Sequence, residues 1–217
     1  MNHFYVRLQM IITVGNTKGG VGKTTIAINL AVEAVMAGKT VLILDTDPQG
    51  SAISFRTERF ASDIKVVSQI NNTIHEDIDA LSAAFDFVII DAGGRDNEIF
   101  RSAVAACKLF LLPVLPSQVD IWAVDDAVKA FREIRPFNKM TGRIVLNQIQ
   151  PNTNVSSEAK EALETYSQFL PVLEQKLHHR VAYKASFSFG QGVSEYEPHG
   201  KAAEEVHALY SAVTSLI

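Results

Sequence analysis

Ten residues, Asn16-Thr17-Lys18-Gly19-Gly20-Val21-Gly22-Lys23-Thr24-Thr25, bring together three glycines, two lysines and three threonines. They stand between an apolar β-branched run and the helical-looking stretch Ile26-Ala27-Ile28-Asn29-Leu30-Ala31. Strand, glycine loop and helix in that order make a polyphosphate cradle. Glycines 19, 20 and 22 clear side chains away so that successive backbone N–H groups can wrap an anion, and the helix amino terminus adds its positive dipole end. Lys23 is expected to reach the β and γ phosphates and the Thr24 hydroxyl to ligate Mg²⁺. The strict pattern asks for glycine where Thr17 stands, so the loop is a deviant one. Lys18, five residues before Lys23, is hard to assign to the phosphates of its own subunit.

Carboxylates supply the second part of the chemistry. Asp45 and Asp47 follow the run Val41-Leu42-Ile43-Leu44, and Asp91 ends Phe87-Val88-Ile89-Ile90. Acids just beyond strands and beside a phosphate loop can serve a metal and an attacking water, and Asp91 is read as the Walker B acid that holds Mg²⁺. Ala92-Gly93-Gly94 follows with no adjacent glutamate to activate water. Hydrolysis is therefore expected well below the ~10 s⁻¹ of a median enzyme.

Strands must hold these groups. Apolar runs at 10–14, 41–44, 64–67, 87–90, 109–114 and 144–146 read as buried strands. Helical spacing at 24–37, 98–106, 120–134 and 156–169 is long enough for crossovers between parallel strands. Gly38 is placed to cap the first helix. The fold class is α/β: a P-loop NTPase with a mostly parallel twisted sheet flanked by helices on both faces. Asp45, Asp91 and Asn147 then stand at the carboxyl ends of strands, the binding edge of such a sheet. No repeat or linker divides the chain, so residues 1–217 are read as one P-loop ATPase domain, with the first nine an extra edge strand or a segment before a start at Met10.

Composition narrows the function. The chain has 217 residues, 47% of them hydrophobic and 20% charged, which excludes a mainly disordered protein. Its net charge of −4 opposes wholesale attraction to nucleic acid, so DNA binding requires a local basic patch. A single cysteine, Cys107, allows no internal disulfide and fits a reducing cytoplasm. No apolar stretch approaches the ~18 residues of a membrane span.

KGGVGKTT, then LDTDPQGS, then FVIIDAGG resembles the ParA/MinD family of deviant Walker ATPases, over residues 11 to about 206. The resemblance implies an ATP-sandwiched homodimer in which Lys18 reaches the partner's phosphates. It implies that Lys18 and Lys23 act with Asp47, which positions the attacking water. Residues 18–25 (Lys18, Gly19, Gly20, Val21, Gly22, Lys23, Thr24 and Thr25) would hold ATP or ADP. Thr24, Asp45 and Asp91 would face Mg²⁺, and Asn147 would contact adenine. Leu115-Pro116-Ser117-Gln118-Val119-Asp120 corresponds to a segment lining the dimer interface. The family usually has a proline after the Walker B alanine, where this chain has Gly93.

The branches of the family differ in their needs. One cysteine excludes the iron-protein branch, which shares a cluster through two cysteines per chain. The tail 204–217 carries two acids and no lysine or arginine, unlike a membrane-binding helix, and Val206, Leu209, Val213 and Leu216 are spaced to pack on the core. What remains is similar to the short partition ATPases without an amino-terminal helix-turn-helix. These bind DNA nonspecifically as ATP dimers in the cytoplasm over the nucleoid, and a small DNA-binding, ParB-like partner protein stimulates hydrolysis. Arg180 and Lys184, in RVAYKASFSFGQGV, match the DNA-contacting stretch; residues 129–143, with five cations and one acid, form a second basic segment. The expected function is segregation of plasmid or chromosomal DNA. The alternatives are the same ATPase positioning a non-DNA cargo (a microcompartment, a chemosensory array or a conjugation complex) or a nucleotide-gated scaffold.

Overall fold

The computed structural model describes residues 9–93, 97–116, 124–150 and 155–217. Six strands, β1 (Met10–Gly15), β2 (Val41–Asp45), β3 (Ile64–Ser68), β4 (Phe87–Ala92), β5 (Leu109–Val114) and β6 (Thr141–Leu146), form one sheet in the order β3-β2-β4-β1-β5-β6. Every pairing in it is parallel. β2, β4 and β5 are buried along their whole length, and that is why they read as unbroken apolar runs rather than as alternating ones. Edge strand β3 is more open and carries Lys65 and Ser68.

Helices cover both faces. On one side lie α3 (Ile74–Ser82), α4 (Asn97–Ala105), α5 (Val124–Ile134) and α6 (Val155–Leu163), packed with Ile11, Leu44, Ile90 and Leu112. On the other lie α1 (Lys23–Met36), α2 (Ser51–Glu58) and the carboxyl-terminal α7 (Val181–Ser188), α8 (Val193–Tyr196) and α9 (Lys201–Thr214), packed with Ile12, Ile43, Ile89 and Leu111. Neighbouring residues of one strand thus feed opposite cores, as the two-residue strand period demands.

All six expected strands are present. The stretch expected as one helix at 156–169 is α6 followed by a short 3₁₀ turn at Glu164–Tyr166. Gly38 ends α1 as expected, with φ +75°, its N–H on the Val35 carbonyl and the Lys39 N–H on the Ala34 carbonyl. Val206, Leu209 and Val213 of the tail are buried, so α9 packs on the sheet. Among the described residues no helix is long and apolar enough to cross a membrane. The first eight residues, Gly94, residues 117–120 of the interface segment and the start of the helix expected from Asp120 lie outside the described residues.

The register aligns the chemistry. Asp45 pairs with Asp91 across β2 and β4, and Val14 pairs with Asp91 across β1 and β4. The three carboxyl ends that carry the glycine loop and the acids are therefore level.

Candidate nucleotide site

A cleft of about 1060 Å³ opens at this edge, lined by Gly19, Gly20, Gly22, Lys23, Thr24, Thr25, Thr46, Asp47, Gly93 and Gln148 among others. The loop after β1 is fixed before it reaches the glycines. Buried Asn16 donates from Nδ2 to the Pro113 carbonyl (2.8 Å) and accepts the Lys18 N–H at Oδ1 (2.9 Å), tying the loop to the end of β5. Gly22 then turns the chain into α1 with φ +90°, a conformation that costs an L side chain energy.

Lys23 is buried, and its ammonium donates to the Lys18 carbonyl at 3.1 Å. Burial lowers its pKa while Asp91 and Asp47 pull it back up. A cation held over the loop by its own carbonyl is poised for phosphate oxygens. Lys18 itself is half-buried in the same loop.

The Thr24 hydroxyl donates to Asp91 Oδ2 at 2.6 Å. The other oxygen, Oδ1, is buried with no hydrogen-bond partner. Burial pushes the Asp91 carboxyl up to about 7, against the pull of the Thr24 hydroxyl. An orphaned buried carboxylate oxygen next to a hydroxyl is a costly arrangement that a divalent cation would relieve. Among the described residues no group of three or more His, Cys, Asp or Glu could hold a metal. A cation here would take Thr24, Asp91, waters and phosphate oxygens, which suits Mg²⁺. Bound there, Mg²⁺ would neutralise charge on the phosphates.

Asp45 and Asp47 divide their labour. Asp45 is buried, and its oxygens accept the N–H groups of Ala52 (2.9 Å), Ile53 (3.1 Å) and Asp47 (3.1 Å). It holds the amino end of α2 and the bend before it. Burial raises its pKa against those three amide bonds. Asp47 lines the cleft, with Oδ1 accepting the Gln49 N–H at 2.9 Å. Between them Thr46 joins the two acidic loops: its hydroxyl donates to the Asp91 carbonyl (3.1 Å) and accepts the Gly93 N–H (3.2 Å). A Cβ on Gly93 would lie 2.9 Å from Asp47 Cα, so the loop after β4 rests directly on the loop after β2.

Asn147, expected at adenine, is buried and donates from Nδ2 to the Val21 carbonyl at 2.7 Å. Gln148 beside it donates to the Gly20 carbonyl at 3.0 Å. Arg180 and Lys184 do not line this cleft. The Arg180 guanidinium donates to Glu205, which also accepts from the His178 backbone, whereas Lys184 on α7 is exposed. Motif reading passed over Asn16, Thr46 and Gln148. Each lies next to a singled-out residue, but its partner is a backbone group distant in sequence.

The model of the CobQ/CobB/MinD/ParA nucleotide-binding domain matches residues 12–193. "Maintenance of carboxysome distribution protein A" of Halothiobacillus neapolitanus is 27% identical, with 93% of this chain and 95% of that protein covered. The protein of the same name from Gloeobacter kilaueensis is 32% identical over 94% of this chain and 91% of its own length. Chromosome partitioning protein ParA of Myxococcus xanthus is 25% identical over 92% and 86%. Among solved structures, apo McdA from Cyanothece superposes with a TM-score of 0.77 at 16% identity, covering 96% of this chain and 99% of that one. Pyrococcus furiosus MinD gives 0.74 at 20% identity over 96% and 99%. At these identities the superpositions speak for the fold alone.

Proposed function

The chain belongs to the CobQ/CobB/MinD/ParA nucleotide-binding family, and from that premise we propose that it is an ATP-switched positioning ATPase whose cargo is a protein microcompartment. The observation that carries the cargo is the pair of relatives named for carboxysome distribution, which span nearly the whole chain. ATP and Mg²⁺ occupy the cleft between the glycine loop and Asp91. Lys23 grips the phosphates of its own subunit, and Lys18 reaches those of a second copy, so ATP closes a homodimer. Asp47, at the cleft wall and against Gly93, orients the attacking water. Hydrolysis is slow until a partner protein stimulates it, because no carboxylate adjoins Asp91 in the chain.

The dimer's track is nonspecific DNA. Of the two residues expected at DNA, Lys184 is exposed, and Arg180 contributes through a guanidinium already shared with Glu205. A gradient of dimer on the nucleoid then moves the cargo. Similarity to the Myxococcus ParA supports a second reading, in which the cargo is a replicon. Deleting the gene in its native host separates the two. Loss of even spacing of protein-shelled bodies, with replicon inheritance intact, is the expected result. Normal spacing with daughter cells that lack a replicon would transfer the protein to partition.

A further inference from the structure

We propose that Asn147 and Gln148 are positioning residues for the phosphate loop, setting which way its peptide groups face. The inference rests on the nucleotide reading of the cleft and goes beyond the adenine contact expected of Asn147. Both side-chain amides donate to the loop: Asn147 Nδ2 to the Val21 carbonyl at 2.7 Å and Gln148 Nε2 to the Gly20 carbonyl at 3.0 Å. No peptide bond in the described chain is cis. In a trans peptide the carbonyl of one residue and the N–H of the next point in opposite directions. Holding the Gly20 and Val21 carbonyls toward the end of β6 therefore turns the N–H groups of Val21 and Gly22 away from β6. Those are the groups that a polyphosphate in the cradle needs.

Two further observations point the same way. A Cβ on Gly22 would lie 2.1 Å from Asn147 Nδ2, so the loop glycine is required for the amide to approach. Gln148 is the only non-glycine residue at positive φ among those described, with φ +54°, and it lines the cleft. Backbone strain at a cleft-lining residue persists where the surroundings impose it, and here the amide bond to the loop does so.

Calorimetric titration of the full chain with Mg²⁺ and either ATP or inorganic tripolyphosphate tests this, because tripolyphosphate has no base. Asn147→Leu and Gln148→Met keep size without the amide. Gln148→Asn keeps the amide and tolerates the left-handed backbone but withdraws the donor by one methylene. Each variant is expected to lose affinity for ATP and tripolyphosphate by the same factor, roughly two- to tenfold for one neutral hydrogen bond. Gln148→Asn should do so without lowering the melting temperature of the nucleotide-free protein, which a purely structural residue would not allow. Loss of ATP affinity with tripolyphosphate unmoved would make these residues base contacts and overturn the proposal, as would parent-like binding of both ligands. Should Asn147→Leu fail to fold, the two Gln148 variants decide. A parent chain that binds neither ligand removes the nucleotide reading itself.

Discussion

Replacing Gly93 by alanine inserts one methyl between the loops that carry Asp47 and Asp91. The backbone there is not left-handed, so alanine is allowed by its own φ and the perturbation is confined to contact. The new Cβ would stand 2.9 Å from Asp47 Cα, 2.9 Å from its Cβ and 3.0 Å from its Cγ, where ordinary contact begins at 3.4 Å. Asp47 must retreat by about half an ångström, or the loop after β4 must lift and stretch the 3.2 Å bond from the Gly93 N–H to Thr46. Overpacking of this kind costs about 1–3 kcal/mol, a factor of about 5 to 150 in the population of the packed arrangement. A misplacement of 1 Å at a reacting centre can itself cost ~10²-fold. Single-turnover hydrolysis should therefore slow by about 5- to 150-fold, while ATP affinity, which rests on the glycine loop, stays close to that of the parent. Turnover equal to the parent's in Gly93→Ala would refute the idea that contact between the two loops positions Asp47. A proline at position 93 would in addition lack the N–H that Gly93 gives to the Thr46 hydroxyl at 3.2 Å.

Other outcomes follow from the site. In the metal-free fold Asp91 keeps its proton up to about pH 7, whereas in the unfolded chain it loses it near its ordinary 3.8. Stability should therefore fall as pH rises through that window, by at most about 4 kcal/mol. Asp91→Asn, which cannot ionise, should melt above the parent at pH 8 and level with it at pH 4; melting below the parent at pH 8 would contradict the assignment. Asn16→Ala strands the Pro113 carbonyl and frees the Lys18 amide, so urea unfolding should show a loss of about 1–3 kcal/mol. An unchanged midpoint would mean that Asn16 does not anchor the loop.

The sequence made the central strands legible because β2, β4 and β5 are buried along their whole length and read as unbroken apolar runs, while the edge strands β3 and β6 kept enough β-branched residues to show beside Lys65 and Arg143. It made the glycine loop legible because a polyphosphate cradle needs small residues and a lysine at fixed spacing. Strand order was not legible: nothing local to β1 says that its neighbours are β4 and β5. α2 and α3 escaped because they are short and only partly apolar; Ser51–Glu58 buries only Ala52 and Phe55. Arg59 escaped for a different reason. It is a buried cation satisfied by Asp63, Glu195 and the Gly190 carbonyl, and Glu195 and Gly190 lie more than 130 positions away. Asp45 was legible as an acid at a strand end, but its use as the anchor of α2 depends on a helix that the sequence pattern had not revealed.

Light scattering on the eluting protein reads the nucleotide-driven dimer itself. With ATP and Mg²⁺ and Asp47→Ala in place to stop hydrolysis, the mass should be that of two chains, and with ADP that of one. Adding Lys18→Ala should return the ATP form to one chain while nucleotide remains bound. Equal mass with ATP and ADP, or a dimer that survives the loss of Lys18, would mean that ATP does not close a dimer through Lys18.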